Sequence, residues 1–153
     1  MQPLDETLVA FHPPQREMTR VHRISEHDTG VSCSAPSVAV MTVSEFFADY
    51  AEALLARDAA AIARMYAVPA LIVFPGRSIP VTDEAETEAF FASNWDQYEG
   101  VDEASPQVDV LAESAASVWA DVTWSYGGSP RERFCYQLVP AADGYRIAVL
   151  TPL

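Results

Sequence analysis

Apolar residues at Phe47, Tyr50, Ala51, Leu54 and Leu55 recur every three or four positions, with Glu45, Asp49 and Glu52 between them. That is the stripe of an amphipathic helix, and Ser44 is of a type able to cap its start. Asp58 caps a second, shorter helix expected to run through Tyr66. Pro69 then stops it, because proline has no backbone N–H to donate. Residues 70–74 are a continuous apolar run read as a buried strand, followed by a Pro75-Gly76 turn and a short return strand around residues 79–81. Asp83 with Glu86 has capping-box spacing and opens a third helix on which Phe91, Trp95 and Tyr98 share one face. After Gly100 the period falls to two, which predicts strands at residues 107–112, 117–126, 131–139 and 145–151. Tight turns at Gly127-Gly128 and Asp143-Gly144 make the last three strands an antiparallel meander.

Helices gathered early and strands gathered late predict an α+β fold, with helices packed on one face of a curved, mostly antiparallel sheet. The stretch before the first helix differs. Residues 1–41 hold Pro3, Pro13, Pro14 and Pro36, lack a sustained apolar period and contain all three histidines, His12, His22 and His27. They are expected to be a flexible extension ahead of a domain spanning residues 42–153. His22 and His27 share no helical face and have no cysteine at a ligand offset, so no metal site is expected.

Charge narrows the partners. The chain of 153 residues carries a net charge of −13, and its nine basic residues are all arginine. Such a surface repels phosphate backbones and anionic lipid, so nucleic-acid and membrane partners are not expected. Cys33 and Cys135 lie in different kinds of segment and imply no disulfide framework, and no apolar run reads as a leader or a span. A cytoplasmic protein without a cofactor is the expectation.

The run "YAEALLARDAAAIARMYAVPALIVF", the helix carrying "EAFFASNW" and the closing "DGYRIAVLTPL" resemble the NTF2-like superfamily, which includes the ketosteroid isomerases and the SnoaL-like cyclases. The resemblance implies a cystatin-like cone, in which the sheet wraps around three helices and leaves an apolar cavity at its open end. It also implies a homodimer formed through the convex sheet face. Carried over by position, the cavity would be lined by Phe47, Tyr50 and Leu54 from the first helix, Tyr66 from the second and Phe74 from the first strand. The third helix would add Phe91 and Trp95, and the meander Val122, Trp124 and Arg133. The residues themselves agree in part. Val118, Ala120, Val122 and Trp124 make a continuous apolar strand face, opposite Trp119, Asp121, Thr123 and Ser125.

The chemistry is thinner than the fold. Ketosteroid isomerisation uses an Asp base and an oxyanion hole made of a Tyr and a protonated Asp. By resemblance Tyr50 and Tyr66 occupy tyrosine positions, but the base position falls on Phe74, the protonated-Asp position on or near Arg133, and a supporting tyrosine becomes Phe91. A benzyl group accepts no proton. No histidine follows His27 to act as acid or base, and Asp121 and Asp96 read either as solvated charges or as unrecognised acids. Tyr50 is either a ligand donor or a core phenol bonded to Tyr66 or to backbone. Arg133 is either a rim cation for an anionic ligand or a surface residue paired with Glu132 or a neighbouring carboxylate. Cys135 reads as a small buried hydrophobe. The expected function is therefore binding of a small apolar molecule, anchored by Tyr50 and Arg133. The alternatives are a cyclase, isomerase or dehydratase using an acid such as Asp121, and a noncatalytic dimeric adaptor.

Overall fold

The structure, a computed structural model, describes residues 40–153. The expectations for the earlier residues, the three histidines and Cys33 among them, lie outside the described residues. The elements are α1 (Val43–Ala56), α2 (Ala59–Arg64), β1 (Tyr66–Phe74), β2 (Arg77–Val81), α3 (Glu84–Ala92), a 3₁₀ turn (Trp95–Tyr98), β3 (Ala104–Glu113), β4 (Val118–Tyr126), β5 (Ser129–Ala141) and β6 (Gly144–Pro152). They build the expected α+β arrangement around one curved six-stranded sheet in the order β2-β1-β6-β5-β4-β3. Every neighbouring pair is antiparallel except β1 with β6.

Helix α1 begins two residues earlier than expected. Thr42, not Ser44, is its N-cap: the Thr42 hydroxyl accepts from Glu45 N, and the Glu45 carboxylate accepts from Thr42 N at 2.7 Å. Phe46, Phe47, Tyr50, Ala51 and Leu54 are buried, and each of the larger side chains contributes about 1.5–3 kcal/mol through that burial. The helix ends at Arg57 in the left-handed region (φ 53°), a conformation that disfavours most side chains. Arg57 makes use of it by donating to the Tyr98 carbonyl at 2.7 Å.

Two expected helices are shorter in the structure. Asp58 caps α2, but the helix stops at Arg64, and Tyr66 begins β1 because it pairs in parallel with Ile147 of β6. Pro69 therefore sits inside a strand, where the β1–β6 register shifts between Tyr66 and Leu71 and a missing N–H breaks no regular ladder. The strand is not buried on both faces either. Ala70 and Ile72 are buried, while Leu71 is exposed.

Helix α3 stops at Ala92 because Ser93 and Asn94 turn their side chains back onto the carbonyls of Ala89 and Phe90, a bond that competes with continuing the helix. At its other end Asp83 accepts from Glu86 N as the spacing suggests, but Glu86 answers to Thr82 N rather than to the cap residue. The rings expected on one helical face still stack across the break, with Phe91–Trp95 centroids 6.3 Å and Trp95–Tyr98 centroids 6.1 Å apart.

The strands of the meander follow their period. Across β4 and β5 the partners Val118–Leu138, Ala120–Tyr136, Val122–Phe134 and Trp124–Glu132 share one face, and Trp119–Gln137, Asp121–Cys135 and Thr123–Arg133 the other. The first set faces the helices: Val118, Ala120, Val122 and Trp124 are all buried to within 2% exposure. Gly144 closes the last turn at φ +134°, where a Cβ would lie 2.7 Å from the Met41 sulfur. Met41 packs against the core.

Candidate functional site

The inward faces of β4 and β5, together with α1, α3 and the 3₁₀ turn, leave a cavity of about 270 Å³. Tyr50 and Leu54 supply its α1 wall, Phe90 and Phe91 its α3 wall, and Asn94, Gln97 and Tyr98 the turn that follows. Trp124, Tyr126, Glu132, Phe134 and Tyr136 come from the sheet, and Phe74, Arg77 and Leu150 complete it.

Hydrogen bonds fix the polar groups in this wall. Tyr50 and Tyr66 hydroxyls lie 3.3 Å apart, Trp124 Nε1 donates to the Tyr136 hydroxyl at 3.0 Å, and the Tyr126 hydroxyl donates to Glu132 Oε2 at 2.8 Å. Edge-to-face packing of Tyr98 on Tyr126, centroids 5.9 Å apart, extends the same wall. Burial raises the pKa of Tyr50, Tyr66, Tyr126 and Tyr136 above the ordinary phenol value. Tyr98 is pushed up to about 12, first by burial and then by the negative charge of Glu132. At neutral pH the site thus holds neutral phenols, which can donate a hydrogen bond but do not act as bases.

Of the residues expected in the cavity, Tyr50, Leu54, Phe74, Phe91 and Trp124 line it. Phe47 and Val122 are fully buried in the core, Tyr66 is buried with its hydroxyl against that of Tyr50, and Trp95 packs against Phe91 without lining the cavity. Arg133 is the clear correction. Its guanidinium lies on the opposite sheet face and holds Asp121 in a two-pronged ion pair, with Nε 2.9 Å from Oδ1. The Arg133 hydrogen bonds hold the Asp121 carboxyl below the usual range, so this aspartate is committed to its partner and points away from the cavity. Asp121 is thereby removed as a candidate acid for cavity chemistry.

The residue that reaches inward is Glu132, one position earlier. In the sequence it stands out only as a partner for Arg133. The missed signal is the alternation Glu132, Phe134, Tyr136, Leu138, which continues the inward face of β4 across the register. A wider cleft between β2 and α3, lined by Ile79, Thr87 and Phe90 among others, shares Arg77 and Asn94 with this cavity. Its only carboxylate, Glu86, is occupied by the Thr82 N–H and hydroxyl. Among the described residues no group of three or more histidine, cysteine, aspartate or glutamate residues is placed to hold a metal ion. No helix there is long and apolar enough to cross a membrane.

Known proteins give the fold a place. An NTF-2 like protein of unknown function from Shewanella oneidensis superposes with a TM-score of 0.57 at 15% identity, covering 71% of this chain and 93% of its own. A domain of unknown function with a cystatin-like fold from Nostoc punctiforme gives 0.54 at 14% identity, covering 72% and 73%. A ketosteroid isomerase-like protein from Erwinia carotovora atroseptica gives 0.50 at 17% identity, covering 70% and 88%. At these identities the likeness is one of fold. No curated protein matches the sequence. The family described as "NTF2-like protein (DUF6841)" matches residues 40–153. With its six-stranded sheet, three helices and this match over the whole described region, the chain belongs to that NTF2-like family.

Proposed function

We propose that this protein binds a small, mainly apolar molecule in the cavity between the helices and the inward sheet face. The observation that carries the reading is the cavity itself: about 270 Å³, walled mainly by aromatic rings, with a few fixed polar groups. A dry cavity of roughly 150 Å³ accommodates one benzene-sized ring. The space here therefore suits one or two rings and is too small for a four-ring skeleton. Phenol hydroxyls and Glu132 replace the expected Arg133 as polar anchors, and Phe74 contributes surface rather than a base.

The test is thermal unfolding in the presence of one- and two-ring compounds. A ligand at about a hundred times its Kd stabilises by about 2.7 kcal/mol, which raises Tm by several degrees. Phe74→Trp adds bulk at a half-buried lining position and is expected to remove that rise while the protein stays folded. If no compound raises Tm, the adaptor reading replaces this one.

A second reading, proton transfer on the bound molecule, has one observation in its favour, the carboxylate of Glu132 in the cavity wall. Turnover lost in Glu132→Gln is its test. Homodimerisation through the outward sheet face, where Trp119 and Thr123 are both half-buried, belongs to the same proposal, and light scattering in solution decides it.

A further inference from the structure

Glu132 lines the cavity and is half-buried, yet its carboxylate has a single side-chain partner, the Tyr126 hydroxyl on Oε2. The ion pairs among the described residues are Arg133–Asp121 and Arg146–Asp143, so no cation of the described chain neutralises it. A carboxylate drawn partly out of water without a counter-charge is unfavourable, and a cation reaching it from a ligand relieves that cost.

The walls around Glu132 suit the same ligand. Trp124 is its cross-strand partner, Tyr126 its hydrogen-bond donor, and Tyr98 stacks edge-on against Tyr126. Ring faces carry negative electrostatic potential and attract ammonium groups, tryptophan most strongly. The wall is also held in place: Arg57 fixes the Tyr98 carbonyl, and Tyr136 fixes the Trp124 indole. A net charge of −13 draws cations toward the molecule as a whole. Arg77 also lines the cavity, but it is exposed, where water and salt screen its charge.

Resting on the reading of this cavity as a small-molecule site, we infer that its ligand is a ring-bearing amine. The ring fills the aromatic hollow, and the ammonium pairs with Glu132 against Trp124 and Tyr98.

Calorimetric titration of the full chain at neutral pH with phenethylamine, phenethyl alcohol and hydrocinnamate tests the charge with the ring held constant. The amine is expected to bind at least about tenfold tighter than the alcohol, the worth of a hydrogen bond to a charged group. Glu132→Gln keeps an acceptor for Tyr126 and is expected to erase that difference. Equal binding of amine and alcohol overturns the ammonium assignment and leaves the small-molecule reading intact. Tighter binding of hydrocinnamate overturns it in favour of Arg77. Absence of binding by all three overturns both. Should Glu132→Gln fail to fold, the wild-type ranking of the three probes still decides.

Discussion

Strands β4 and β5 carry one carboxylate on each face, and the two are used in opposite ways. On the outer face Asp121 is clamped by Arg133, a guanidinium that is itself more than half exposed. On the inner face Glu132 is bonded to a phenol and walled by rings, and it forms no ion pair among the described residues. Adjacent residues, Glu132 and Arg133, thus serve different surfaces because a strand alternates sides at every step. The lesson is one of environment. The carboxylate that has its own guanidinium is nearly spent as chemistry, whereas the one bonded only to a phenol keeps a charge available to a visitor.

If the two faces differ as described, alkali separates them first. On the inner face the native state keeps its phenols protonated above their ordinary pKa of 10.0, with Tyr98 raised to about 12, while the unfolded chain ionises them. The native state then binds more protons than the unfolded one, so stability falls as pH rises above 10.0. Phenolate absorbance and circular dichroism are expected to change together as the domain unfolds near the raised values. Acid is the mirror case for the outer face. Asp121 has a lowered pKa, so its contribution is present above 3.8 and lost as pH falls through the native value, a minor loss because water screens the half-exposed Arg133 guanidinium.

Substitutions sharpen the contrast in descending order. Trp124→Ala removes a ring that is 1% exposed, and urea unfolding should register a loss of about 3–5 kcal/mol. Tyr126→Phe deletes the donor to Glu132 and should cost about 1 kcal/mol, with a matching change in the amine affinity. Arg133→Ala should leave ligand affinity unchanged and shift the unfolding midpoint least of all. A large effect of Arg133→Ala on binding would break the division between the faces.

Much of this arrangement was legible in the residues. The β4 face of Val118, Ala120, Val122 and Trp124 declares itself by period alone, and Pro75-Gly76, Gly127-Gly128 and Asp143-Gly144 mark the hairpins the structure contains. What failed was decided by distant partners. Tyr66 has helical neighbours on its N-terminal side, yet pairing with Ile147 draws it into a strand. Trp95 and Tyr98 fit a helix until Ser93 and Asn94 turn back on the preceding carbonyls. The assignment of Arg133 to the cavity came from positional resemblance alone, whereas strand alternation puts it opposite Thr123 on the outer face and Glu132 opposite Trp124 on the inner one.

The three tryptophans offer the most direct trial, because Trp124 lines the cavity, Trp95 packs just outside it and Trp119 lies on the outer sheet face. With ¹⁵N-labelled protein, the indole N–H resonances can be followed while phenethylamine is added. The account predicts a saturable shift of the Trp124 signal, a smaller one for Trp95 and none for Trp119. A shift at Trp119 with Trp124 unmoved would contradict it.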